Sequence, residues 1–138
     1  MKQKIYQTKA TAAGGRNGKV KSEDGVLEMD VRIPKLMGGP GGDFTNPEQL
    51  FAAGYAACFD SALNLIARQN KHKITSETEV SVGLESSENN EFNLVVSIGV
   101  SIEGTDKETA RNLLELAHKT CPYSKAVKNN VDVTVHLN

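Results

Sequence analysis

Apolar and polar positions along the chain mark out a short list of elements. Residues 4–12 read as a strand. Residues 18–33 read as a hairpin turning at Glu23-Asp24-Gly25, and Val26-Leu27-Glu28-Met29-Asp30-Val31-Arg32-Ile33 alternates at period two. Leu36-Met37-Gly38-Gly39-Pro40-Gly41-Gly42-Asp43 marks a loop, by its glycines and proline. Asn46-Pro47-Glu48 then opens a long helix running to about Gln69. Asn46 can cap its first amides, Pro47 suits the first helical position, and Glu48 complements the dipole. Ala52, Ala53, Gly54, Ala56, Ala57, Ser61 and Ala62 keep its middle thin, so a second backbone can approach closely.

Residues 75–86 and 91–103 are strands joined at Glu88-Asn89-Asn90. Thr105-Asp106-Lys107-Glu108 reads as a capping box, opening an amphipathic helix with Leu113, Leu114, Leu116 and Ala117 inward. Cys121-Pro122 breaks it near Lys119, and a short helical turn at 123–128 follows. Val131, Val133 and Val135 alternate in a last strand. The order is βββ-α-ββ-αα-β, hence α+β: a long central helix packed on antiparallel sheet. Residues 1–138 form one domain in this reading, without repeat, linker or low-complexity tail.

Charge and composition narrow the function classes. The chain has 138 residues, 16 Lys+Arg against 17 Asp+Glu, and a formal charge of −1. That balance argues against a nucleic-acid footprint and against a polybasic membrane anchor. No apolar run approaches the roughly 20 residues of a membrane span. Met1-Lys2-Gln3-Lys4-Ile5-Tyr6 lacks an apolar stretch behind its charge, so a cytoplasmic protein is expected. His72, His118 and His136 have no metal-ligand spacing, and no metal is expected; His118 reads as a cation at a helix C-terminus. The Gly38–Gly42 loop lacks the Gly-Lys-Ser/Thr of a phosphate cradle.

Two cysteines remain, Cys58 inside the long helix and Cys121 at the helix break. Composition alone favours plain burial, since free cysteine is a small hydrophobe. Their separation is not Cys-x-x-Cys, which excludes a thioredoxin-like motif.

The flanking residues say more. Asn46-Pro47-Glu48-Gln49-Leu50-Phe51-Ala52-Ala53-Gly54-Tyr55-Ala56-Ala57-Cys58-Phe59 resembles the first-cysteine motif of the Ohr/OsmC family, in its organic hydroperoxide resistance branch. Ala117-His118-Lys119-Thr120-Cys121-Pro122-Tyr123-Ser124 resembles the second, and Gly14-Gly15-Arg16-Asn17-Gly18 the arginine-bearing segment. The resemblance covers essentially the whole chain. Phe44 departs from it, where glycine is expected before Thr45.

The resemblance implies a cysteine peroxidase acting on alkyl and fatty-acid hydroperoxides. Cys58 is then the peroxidatic thiol and Cys121 the resolving one. Arg16 stabilises thiolate and peroxide, and Glu48 orients Arg16. No bound cofactor is implied; the disulfide is re-reduced by a dithiol, dihydrolipoamide, carried on lipoylated proteins. An intertwined homodimer is implied as well. Leu36, Met37, Phe51, Tyr55 and Phe59 are the apolar residues expected to line the substrate side, with plain core packing as the other reading.

One difficulty is geometric. Glu48 and Cys58 are ten residues apart on one helix, about 15 Å along its axis. Arg16 cannot easily serve both ends within one chain, which places the site between subunits. Asp60 lies about 200° around the helix from Cys58 and is not expected to partner it. Two other classes stay open: a redox-sensing or ligand-binding module that forms the disulfide without turnover, and a structural dimer with inert thiols. A broader OsmC-like peroxidase is a near neighbour.

Overall fold

The computed structural model describes residues 1–138, which divide into two compact units, Met1–Leu50 and Phe51–Asn138. The first unit holds a three-stranded antiparallel sheet, β1 (Ala10–Ala13), β2 (Gly18–Ser22) and β3 (Glu28–Val31), in that order. The first strand begins at Ala10 rather than at Lys4. The turn between β2 and β3 is held by Ser22 and Asp24: the Asp24 carboxylate accepts from Ser22 Oγ (2.7 Å) and from the Val26 N–H (3.0 Å). Lys35–Met37 forms one 3₁₀ turn in the glycine-rich loop. Thr45 then pairs alongside Val31 in a parallel bridge. Val31 and Thr45 are the only fully buried residues of this unit. Its strands show mostly exposed side chains on both faces.

Phe44, the departure from the family pattern, has a local task. The Arg32 guanidinium lies 4.8 Å from the centre of its ring and donates to the carbonyls of Gly18 (2.9 Å) and Val31 (2.7 Å). A cation over an aromatic face is attracted by the ring quadrupole. Phe44 thereby backs the side chain that ties the start of β2 to the end of β3.

The helix α1 (Pro47–Gln69) starts as its sequence demands. Asn46 Oδ1 accepts from the Gln49 N–H at 2.9 Å, and Pro47 fills the first position, where no amide partner is needed. By length and composition this helix is apolar enough to cross a membrane, contrary to the expectation from apolar runs. One of its faces is nonetheless built for a core: Tyr55, Phe59, Ala62, Leu63, Ile66 and Ala67 are buried.

They pack within the second unit against β4 (Thr75–Ser86), β5 (Phe92–Glu103), α2 (Lys107–Thr120) and β6 (Asp132–Leu137). The sheet order is β4-β5-β6. β4 and β5 are antiparallel, with Val82 opposite Val96. β6 joins β5 in parallel, because α2 and α3 (Pro122–Val127) carry the chain back along the sheet. Val96, Ile98 and Val100 of β5 are buried at every second position, as one face of a strand must be.

Two local expectations are corrected. The cap of α2 is Asp106, whose carboxylate accepts from the Thr109 N–H at 3.2 Å; Thr105 stands one place too early for the box. Leu116 is 41% exposed, whereas Ala110, Leu113, Leu114 and Ala117 are buried. Those four follow i, i+3, i+4, i+7 spacing, and Leu116 lies about 100° off that stripe.

Candidate functional site

The expected site residues fall into two groups, one in each unit. In the first, Gly14 and Gly15 adopt φ of 82° and 57° and turn the chain between β1 and β2, presenting Arg16 at the tip. A side chain at such φ is strained, which accounts for two successive glycines. Arg16 Nη1 donates to Glu48 Oε2 at 2.9 Å and Nη2 to Glu48 Oε1 at 2.5 Å. The pair is a two-pronged fork of the kind a guanidinium and carboxylate make best. The hydrogen bonds from Arg16 hold the Glu48 carboxyl below its ordinary range, against the opposing effect of burial. They hold the guanidinium correspondingly in its charged form.

In the second unit, α1 carries Cys58 and the junction of α2 and α3 carries Cys121. Both are free thiols, and their sulfurs lie 3.6 Å apart. Cys121 is fully buried and closes α2: its N–H donates to Ala117 O at 2.8 Å, and its carbonyl accepts from the Lys125 N–H at 3.0 Å. Pro122, without an amide hydrogen, takes the first position of α3 and ends α2. Cys58 is partly buried. Burial raises its pKa above the ordinary thiol value; the backbone N–H of Tyr123 lowers it, and Cys121 raises it.

The expected apolar lining is split. Tyr55 and Phe59 have no exposed surface and belong to the core. Phe51 is half-buried, its ring 6.1 Å from that of Tyr55. Leu36 and Met37 stand exposed on the first unit. Asp60 faces the sheet, accepting from Ser76 Oγ (2.8 Å), Thr78 Oγ1 (2.9 Å) and Asn64 Nδ2 (3.3 Å).

A polar chain absent from the sequence-based expectations lies beside the thiols. Tyr55 Oη and Ser124 Oγ are 2.6 Å apart, and Ser124 Oγ lies 2.8 Å from His118 Nδ1. Burial lowers the His118 pKa, which favours a neutral hydrogen-bonding ring over the helix-end cation expected. The one available signal was the hydroxyl of Ser124 six residues past His118, and a helix break between them hides that juxtaposition. No group of three or more His, Cys, Asp or Glu side chains is arranged to hold a metal.

Residues 39–136 match the family model of OsmC-like proteins. The chain is 44% identical over 135 residues to an organic hydroperoxide resistance protein of Xanthomonas axonopodis pv. citri, covering 96% of this chain and 94% of that one. It is 46% identical over 136 residues to the organic hydroperoxide resistance protein OhrB of Bacillus subtilis, covering 96% and 98%. Among solved structures, an organic hydroperoxide resistance protein from Elizabethkingia anophelis superposes with a TM-score of 0.94 at 47% identity, covering 99% of both chains.

Proposed function

The chain belongs to the organic hydroperoxide resistance branch of the OsmC-like family, and from that premise we propose that it defends against peroxides as a cysteine peroxidase for organic hydroperoxides. The observation that carries the chemistry is the approach of two free thiols, Cys58 and Cys121, to 3.6 Å.

The Cys58 thiolate attacks one oxygen of the peroxide and the O–O bond breaks. Cys58 becomes a sulfenic acid, and the departing alkoxide takes a proton to leave as alcohol. The Cys121 sulfur then attacks the sulfenic sulfur. Its proton joins the departing hydroxide as water, and the Cys58–Cys121 disulfide forms. Cα atoms about 4.4–6.8 Å apart allow such a bond. A dithiol, dihydrolipoamide on a lipoylated protein, returns both cysteines to thiols as its own sulfurs become a disulfide. The setting we assign is the cytoplasm.

Arg16 has two tasks in this scheme. Burial works against the Cys58 thiolate, so a cation is needed to favour it. Lowering a thiol pKa from about 8.5 to about 6 raises the thiolate fraction roughly 30-fold at pH 7, but nucleophilicity falls about 18-fold with a Brønsted coefficient near 0.5. The net gain is about twofold, so the guanidinium must also donate to the peroxide oxygens as charge develops there. Glu48 holds it in that orientation.

Arg16 and Glu48 of one subunit serve Cys58 of the other in this reading. Two observations support a dimer. Residues 1–50 bury only Val31 and Thr45, too little apolar surface for a three-stranded sheet to stand alone. On α1, Ala53, Ala57, Ser61 and Leu65 form an exposed stripe at helical spacing. Apolar wall residues between subunits favour alkyl over hydrogen peroxide, at about 0.8 kcal/mol per buried methylene.

The test is turnover of tert-butyl and fatty-acid hydroperoxides with dihydrolipoamide as reductant. Multiple turnovers with preference over hydrogen peroxide support the proposal. A disulfide that forms but never turns over, with any dithiol, contradicts it.

A further inference from the structure

Tyr55, Ser124 and His118 form a hydrogen-bonded chain to which the chemistry above assigns no task. Tyr55 lies on α1 three residues before Cys58. Ser124 lies in α3 three residues after Cys121, and His118 in the last turn of α2 three residues before it. Tyr55 and Ser124 are 0% and 3% exposed. A single serine oxygen thus ties together the three helical segments that meet at the two sulfurs.

The outer end of the chain reaches water. His118 borders two cavities of about 290 and 380 Å³. Lys119, Lys125 and Lys128 line the first; Arg111, Glu115 and His136 line the second. The Phe59 ring lies 6.4 Å from the imidazole. Burial opposes protonation of the ring. The C-terminus of α2 and Glu115 favour a charge there, and Lys119, Lys125, Lys128 and Arg111 disfavour it as like charges.

The protonation state of His118 sets the direction of the chain. With a neutral ring accepting at Nδ1, Tyr55 donates to Ser124 and Ser124 donates to His118, so every hydrogen has an acceptor. An imidazolium can only donate. Ser124 must then accept from the ring, and with three hydrogens on two contacts one hydroxyl hydrogen, of Ser124 or of Tyr55, is stranded in the core. A buried unpaired hydroxyl is costly, so the chain loosens on protonation.

The resolving step needs this part of the chain to be held. The sulfurs must close from 3.6 Å to about 2.05 Å. Cys121 is fixed by its own main chain, and the side chain that anchors its turn to α1 is Ser124. We infer that Ser124 is a positioning residue for disulfide formation: bonded to Tyr55 and His118, it holds the turn bearing Cys121 against the Cys58 turn of α1. This rests on the cysteine-peroxidase reading and adds a residue to it.

The experiment mixes reduced protein with one equivalent of tert-butyl hydroperoxide. It follows peroxide loss, then the decay of sulfenic acid trapped with dimedone at timed intervals. In Ser124→Ala the first phase is expected within about threefold of wild type and the second slowed at least about tenfold. His118→Leu, without an acceptor, slows the second phase likewise. His118→Asn keeps an acceptor oxygen near the Nδ1 position and retains the rate at neutral pH. It is also expected to lack the extra acid-side fall in resolution rate of wild type, read at pH values where both proteins remain fully folded so that the acid-side stability difference does not enter. An unchanged second phase in folded Ser124→Ala overturns the inference, as does the same acid fall in His118→Asn. If Ser124→Ala does not fold, the pH comparison decides alone. Wild type that consumes peroxide without a trappable sulfenic acid or a disulfide overturns the peroxidase reading and this inference together; sulfenic acid formation with unaltered resolution overturns only the latter.

Discussion

Cys58 and Cys121, 63 residues apart in sequence, bring their sulfurs to 3.6 Å without a bond between them. The approach depends on a helix that ends at one cysteine and a second helix that carries the other. Cys121 is held by main-chain bonds on both sides, its N–H donating to Ala117 O and its carbonyl accepting from the Lys125 N–H.

Arg16→Ala is expected to slow peroxide reduction at Cys58 by about a hundredfold, the usual effect of removing one donor to a developing oxyanion. Stopped-flow measurement of the first equivalent checks this. A rate within about threefold of wild type removes Arg16 from the transition state.

The Glu48 carboxyl titrates below its ordinary value because Arg16 is bonded to it. A depressed carboxyl contributes stability above the unfolded pKa, about 4.3, and loses it as pH falls through the folded value. Glu48→Gln is therefore expected to flatten part of the loss of stability below about pH 4.3 in urea titrations. With a third of the Arg16 side chain exposed, the difference is expected to shrink in high salt.

The His118 pKa is lowered by burial. The unfolded imidazole takes up its proton near pH 6.5 while the folded one stays neutral, so stability falls as pH drops below about 6.5 until the folded value is reached. His118→Asn is expected to remove that fall, measured as the pH dependence of the urea midpoint.

Asp60 accepts from Ser76, Thr78 and Asn64 and touches neither sulfur in this arrangement. Asp60→Ala is expected to cost about 1–3 kcal/mol of stability by leaving the β4 hydroxyls unpaired. Peroxide reduction per folded molecule is expected to stay within about threefold. A larger selective loss of rate assigns Asp60 to the chemistry.

Much of this was legible in the chain. The helix at Pro47–Gln69 was readable from Asn46, Pro47 and Glu48 because capping is local. The two long strands were readable from alternation and from the turn at Asn90, which takes φ of 58°. The Cys58, Cys121, Arg16 and Glu48 set came from the residues around them, not from spacing. What stayed hidden depends on distant partners. Ser124 is bonded to Tyr55 across 69 positions, and Asp60 reaches Thr78 across 18. Leu116 is exposed because its angle around the helix, not its residue type, decides whether it faces the core. The scarcity of buried residues in the first unit left no trace in its pattern, since Leu27, Met29, Val31 and Ile33 alternate with charged residues as core residues do.

The assignment of Cys58 as the thiol that meets peroxide is tested most directly by intact-protein mass measurement after one equivalent of tert-butyl hydroperoxide, with dimedone present. Cys121→Ser is expected to consume one equivalent, stop, and carry one dimedone adduct on Cys58. Cys58→Ser is expected to consume none and carry none. Undiminished multiple turnover with dihydrolipoamide in Cys58→Ser, or a dimedone adduct confined to Cys121 in wild type, contradicts the assignment.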